Sequence, residues 1–185
     1  MRALWPRVSV ALAKGAAALF LTGIASWPAA PAMAQQGEQP KPPPKSVEVQ
    51  AFVILASKGE VDYADPSLKE LAELLRSQFK DQFNRFRLHK VPHEEVRLDK
   101  TAYLSLVENY HLKVTYTGVE AEQPEKVRLS LAIVRRVQEV VGGKVETRET
   151  TFVAFKISIV RDKFFLMTGP QVGDEKVILA VRVLK

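Results

Sequence analysis

The chain has 185 residues, of which 46% are hydrophobic and 26% charged, and it contains no cysteine. This composition supports one packed domain and excludes widespread disorder. The lack of cysteine excludes disulfides, thiolate nucleophiles and thiolate metal ligands. The formal net charge of +6 falls to +3 without the first 34 residues, which carry three basic and no acidic side chains. So mild and mixed a charge argues against binding to nucleic acid or to an anionic membrane surface.

The first 34 residues predict a secretory signal peptide. Basic residues precede an apolar run from Gly15 to Trp27 of about 13 residues, short of the roughly 20 that a membrane-spanning helix needs. Ala32-Met33-Ala34 supplies the small residues that a signal peptidase reads. We therefore expect cleavage after Ala34 rather than retention as an anchor, no membrane span in the mature chain, and a periplasmic or secreted location.

A proline-rich linker follows the predicted cleavage site. Residues 35–45 read QQGEQPKPPPK, a polar tract that favours polyproline II and acts as a semi-rigid tether. The predicted organisation is a signal peptide over 1–34, a linker over 35–45 and a single α+β domain over 46–185.

The domain opens with a strand and a helix. From Val47 to Leu55 apolar and polar residues alternate, and from Phe52 to Ala56 both faces are apolar, which predicts a strand covered on both sides. Asp65-Pro66 supplies good helix-start chemistry. Apolar residues then recur at steps of three and four, which predicts an amphipathic helix with a buried aromatic stripe: Leu68, Leu71, Leu74, Leu75, Phe79, Phe83 and Phe86.

The rest of the chain reads as strands. Period-two alternation predicts them over residues 86–91, 96–98, 111–117, 127–134, 144–156 and 176–184, with 101–108 ambiguous. Gly142-Gly143 predicts a hairpin, Arg161-Asp162 a second one, and residues 168–175 a loop.

The predicted fold class is α+β, with one amphipathic helix packed on a mostly antiparallel sheet of about six to seven strands. A single helix leaves one sheet face partly bare. That face must fold over into a sandwich or half-barrel, or meet a partner.

The sequence predicts no catalytic, cofactor-binding or metal-ligating residues, and no cofactor. His89 and His93 have the spacing of a helical zinc pair, but Pro92 lies between them and in a strand four residues span about 13 Å. Ser57 ends the first strand without a G-x-S-x-G nucleophile motif. A single glycine, Gly59, precedes the helix, too few for a phosphate-binding loop.

One stretch carries a resemblance. The strand end Ile54-Leu55-Ala56-Ser57, followed by Asp65-Pro66 and by leucines at 68, 71 and 74, resembles a family of small secreted bacterial proteins of uncharacterised function. Those proteins share the strand, the Asp-Pro-capped helix and the run of strands. The resemblance covers most of residues 47–185 and implies a fold but no activity.

The leading functional hypothesis is a non-catalytic, extracytoplasmic module that binds or scaffolds a protein partner in the cell envelope. Its contact surface would be a sheet face, a sheet edge or the 168–175 loop. The alternative is a carrier of small molecules or lipids, with Phe79, Phe83 and Phe86 lining an apolar cavity between helix and sheet. A third hypothesis is a hydrolase that uses Ser57 with His89 or His93.

Overall fold

A computed structural model describes residues 43–184 of the chain. The predicted signal peptide, its cleavage site and most of the predicted linker lie outside the described residues. The described part is mostly β-structure, with a 3-10 turn at Pro66–Leu68 and one α-helix, α1 (Ala72–Phe79). Its ten strands are β1 (Ser46–Ser57), β2 (Tyr63–Ala64), β3 (Arg85–Lys90), β4 (His93–Arg97), β5 (Thr101–Ser105), β6 (Tyr110–Val119), β7 (Lys126–Val141), β8 (Lys144–Val160), β9 (Phe165–Val172) and β10 (Glu175–Val183).

The strands form two sheets. The first sheet has six strands in the order β2-β3-β1-β10-β9, and β4 also pairs with β1. The second sheet has four strands in the order β5-β6-β7-β8. All the strand pairs are antiparallel except β2 with β3. The prediction of mostly antiparallel structure is therefore confirmed.

The two sheets pack face to face as a sandwich. The odd-numbered residues of β1, from Val47 to Leu55, and those of β10 point into the space between the sheets. Alternate apolar residues of β6 and β7 fill it from the other side, as inward-facing residues do in sandwiches. Tyr116 is wholly buried there, and its hydroxyl donates a hydrogen bond to the carbonyl of Pro44 at 3.1 Å.

The helix covers the opposite face of the first sheet. Ile54 and Ala56 of β1 and Ile178 of β10 meet Leu75 and Phe79 of α1, all of them buried. A second core thus lies between the helix and the first sheet, as the two-faced apolar pattern of β1 predicts. Within residues 43–184 no helix has the length and apolar character needed to cross a membrane.

The predicted fold class is wrong, because the strands form two sheets and the structure is mostly β. Alternation along a strand shows which side chains face inward, but not which sheet the strand joins. The chain changes sheet between β4 and β5 and again between β8 and β9. Asp99 at the first change and Asp162 at the second adopt positive φ angles, of 56° and 59°. Aspartate tolerates this conformation better than most residues, because its short polar side chain can form hydrogen bonds with nearby groups of the chain.

Three element predictions are also corrected. The helix is short: α1 begins at Ala72, whereas Asp65-Pro66, the predicted helix start, opens the separate 3-10 turn. Phe83 follows the helix, and Phe86 lies in β3, which pairs antiparallel with β1. Arg161-Asp162 joins strands of different sheets, so it is not a hairpin. Most of the predicted 168–175 loop is strand β9, with a turn at Gly173-Asp174.

We predict that Asp99→Val lowers the free energy of unfolding by about 1–2 kcal/mol, because a β-branched residue is strained at positive φ. Asp99→Gly is the matched control and should stay close to the wild type, since glycine adopts this conformation freely. Urea denaturation followed by circular dichroism measures both. Equal stability of the two variants would contradict the role assigned to this turn.

Candidate interaction surface

The β7–β8 hairpin extends beyond the rest of its sheet. The ladder between β6 and β7 ends where Tyr110 pairs with Arg135, whereas the ladder between β7 and β8 continues to the pair Val141 and Lys144. All residues from 138 to 152 are exposed. We call the segment 135–151 the ribbon.

The sequence dictates the turn at the tip of the ribbon. Gly142 and Gly143 have φ angles of 58° and 80°, as a type I′ turn requires at both central positions. This turn matches the right-handed twist of the flanking strands, which are rich in valine and threonine. The predicted Gly142-Gly143 hairpin is confirmed.

The ribbon exposes apolar side chains near its tip. Val140 and Val145 lie opposite each other and keep 73% and 66% of their surface exposed. Val141 is also exposed, but as the next residue along β7 it points to the opposite face of the ribbon. Val140 and Val145 form the valine patch, on a part of the ribbon where, among the described strands, β7 and β8 pair only with each other.

A polar cluster fixes the base of the ribbon. The Glu149 carboxylate accepts hydrogen bonds from Lys113 Nζ at 2.8 Å and from the Tyr103 hydroxyl at 3.1 Å. Arg136 lies opposite Glu149 in the ladder, with its Nε 3.9 Å from the carboxylate. The Arg136 guanidinium also sits over the Tyr103 ring, 4.5 Å from its centre, in cation–π geometry. The cluster thus joins the ribbon to the outer face of β5 and β6.

An aromatic contact adds a second anchor. Ile133 pairs with Val153 and Val134 with Thr151, so Phe152 is the extra residue of a β-bulge. Its ring meets Tyr110 edge to face, with 6.3 Å between the ring centres. Bulges bend a strand and increase its twist, so this one sets the direction in which the ribbon leaves the sheet.

The electrostatics of the polar cluster set its pH range. The hydrogen bond from Lys113 lowers the pKa of Glu149, and the same bond raises the pKa of Lys113. Because the pKa of Glu149 is lower in the folded state than in the unfolded state, its ionisation stabilises the fold at pH values above the unfolded-state pKa. This stabilisation is lost as the pH falls through the folded-state pKa. Because the pKa of Lys113 is higher in the folded state than in the unfolded state, its charge stabilises the fold at pH values below the unfolded-state pKa. This stabilisation is lost as the pH rises through the folded-state pKa. The anchor therefore holds across the neutral range.

The residues considered for catalysis lie far apart. Ser57 pairs with Arg85 at one end of β1, whereas His93 pairs with Gln50 near the other end. Strand geometry puts Ser57 about 23 Å from His93 and about 13 Å from His89. Neither histidine reaches the serine, and in residues 43–184 no group of three acidic or histidine side chains could hold a metal ion.

The aromatic residues considered for a ligand cavity divide into two groups. Phe79 and Phe86 are buried in the core between helix and sheet, packed against Leu75 and Ile178. Phe83 is partly buried and lines an open surface pocket together with Arg76 and Lys80.

Asp65, considered as a helix cap, accepts a hydrogen bond from the Ser67 amide at 2.9 Å, which lowers the pKa of Asp65.

The sequence reasoning missed the polar cluster. The sequence could have predicted one half of the cluster, because in a two-residue hairpin at Gly142-Gly143 Arg136 pairs with Glu149. The other half, Tyr103 and Lys113, belongs to strands whose place beside the ribbon depends on sheet order and on the bulge. No local pattern carries that information.

No family model, curated protein or solved structure matches the chain. The resemblance to small secreted bacterial proteins therefore stays a prediction.

We predict that Lys113→Met raises the pKa of Glu149 toward its ordinary value, because the variant removes the hydrogen bond that holds this pKa down. Carbon-13 NMR titration of the Glu149 carboxyl measures the change. Lys144→Met, on the same strand as Glu149 but at the tip of the ribbon, is the control and should leave the titration unchanged. An unaltered Glu149 titration in Lys113→Met would refute the anchor.

Proposed function

We propose that this protein is a non-catalytic, extracytoplasmic module that binds a protein partner in the cell envelope through the ribbon. The observation that carries the proposal is the valine patch on an element whose base the polar cluster joins to β5 and β6. Exposed apolar side chains that lie together mark protein interaction sites, whereas singly scattered ones are ordinary on a protein surface. The location outside the cytoplasm rests on the predicted signal peptide.

The anchoring of the ribbon supports this role. An isolated two-stranded hairpin is marginally stable in water. Here Lys113, Tyr103 and Tyr110 of the neighbouring strands hold its base. A contact element fixed in this way loses less conformational entropy on binding than a free loop would.

The alternatives have less support. The hydrolase hypothesis needs Ser57 within hydrogen-bond reach of a histidine, and the register of β1 with β3 and β4 separates them. The carrier hypothesis needs an apolar cavity under the helix, whereas Phe79 and Phe86 are packed as core. A binding module needs neither feature.

The proposal is tested by site-specific photo-crosslinking in the envelope fraction of the source organism. A photoreactive residue at Gln138, on the ribbon, should give a defined adduct with another envelope protein. The double variant Val140→Ser with Val145→Ser should reduce the yield of this adduct at least about tenfold, because it removes two exposed apolar side chains. Mass spectrometry identifies the adduct.

A photoreactive residue at Gln78 is the control, since this position is exposed on α1 and far along the chain from the ribbon. Adducts of equal yield at both positions, or none at position 138, would overturn the proposal. Thermal unfolding of the double-serine variant shows that the fold is intact, because both valines are exposed in the native state.

A further inference from the structure

Strand β8 is the open edge of its sheet. In residues 43–184 it pairs with β7 on one side and with no strand on the other. An uncovered edge presents free N–H and C=O groups and is a ready template for another strand. Whether an edge recruits a partner, and which one, depends on its side chains.

The turn determines which backbone groups are free. In a two-residue hairpin the residues flanking the turn, Val141 and Lys144, exchange hydrogen bonds with each other. Along β8 the bonded positions then alternate, so Glu146 and Arg148 bond to β7. The backbone groups of Val145, Thr147 and Glu149 point away from β7, toward the open edge. An added strand would bond to these three residues.

The charges along this edge are complementary to themselves. When β8 is laid antiparallel against a second β8 with Thr147 opposite Thr147, Glu146 of each copy faces Arg148 of the other. This register brings together two opposite-charge pairs and no like-charge pair, and cross-strand pairs of opposite charge stabilise a sheet. Shifting the two-fold axis to Glu146 would instead place Lys144 against Arg148.

The ribbon taken alone has a charge conflict that this pairing relieves. Glu139 lies directly opposite Glu146 in the β7–β8 ladder, and like charges in that position are destabilising. Pairing in the Thr147 register adds a second copy's Arg148 to the same row of side chains, on the far side of Glu146. The outer edge of β7 offers no such match, since Glu139 is its single charged residue between Val137 and Val141.

We propose that the ribbon pairs with a second copy of this chain, edge to edge along β8, with a two-fold axis at Thr147. The contact is isologous, because the same residues serve both copies, so it closes as a dimer. It forms a four-stranded sheet, β7-β8-β8-β7, and displays the valine patches of both copies on one assembly. The inference deepens the proposed function and rests on it for the role of those patches.

The absence of cysteine makes this register directly testable in the chain from Gln35 to Lys185. Thr147→Cys should form a disulfide-linked dimer on mild oxidation, because the two residues at the axis face each other about 5.5 Å apart between Cα atoms. Val145→Cys is the matched control, exposed on the same strand. In this register its partner is Glu149, so two cysteines at position 145 lie too far apart to bond.

Charge reversal tests the same register without cross-linking. Glu146→Arg and Arg148→Glu should each weaken dimerisation about tenfold in sedimentation equilibrium, because each turns two attractive pairs into repulsive ones. The combined Glu146→Arg with Arg148→Glu variant restores opposite charges and should return to within about threefold of wild type.

The outcomes separate this inference from the proposed function. A monomer at all concentrations, equal cross-linking by Thr147→Cys and Val145→Cys, or a double reversal no better than the single ones would overturn the dimer. The adduct from position 138 with another envelope protein would then still uphold the proposed function. A dimer in the Thr147 register without that adduct would uphold the dimer and overturn the proposed function.

Discussion

Burial of β1 on both faces is the constraint on which the rest of the structure depends. Its odd-numbered residues point into the sandwich, and Ile54 and Ala56 point toward the helix. A strand with two apolar faces must be covered twice, since apolar surface left in water costs about 25 cal/mol per Å². The second sheet supplies one cover and α1 the other. Both cores therefore meet at this strand, with β10 and β3 or β4 as its neighbours.

The sequence predicted local structure better than the assignment of strands to sheets. The two-faced character of β1 and the hairpin at Gly142-Gly143 depend on residues close together in the chain, and both are confirmed. Sheet membership depends on two short connections, where Asp99 and Asp162 turn the chain at positive φ. An aspartate between strands also suits many ordinary turns, so the sequence could not reveal that the chain changes sheet there.

Strand β9 shows why a glycine and a proline misled the prediction. Gly169 packs closely against β10: a Cβ at this position would lie 3.1 Å from the Cβ of Val177. Pro170 has no N–H group to donate, but β9 is an edge strand, and an edge strand tolerates this loss. Glycine and proline by themselves predict a loop. Here the close packing of Gly169 against β10 and the edge position of Pro170 make both residues compatible with a strand. The polar cluster was missed for a related reason, because Lys113 and Glu149 meet only through sheet order.

Folding places fewer constraints on the residues of the ribbon than on the residues of the two cores. Core residues such as Leu131 and Ile178 are fully buried, and changes there disturb packing throughout a layer. Residues 138–148 are exposed, so the fold requires of them little more than strand propensity and the glycine turn. Strand propensity accounts for valine at these positions, but it does not account for the alternating charges along β8. The like-charged pair of Glu139 with Glu146 destabilises the isolated ribbon, and the valine patch leaves apolar surface in contact with water. A contact made by the ribbon gives a physical reason for both.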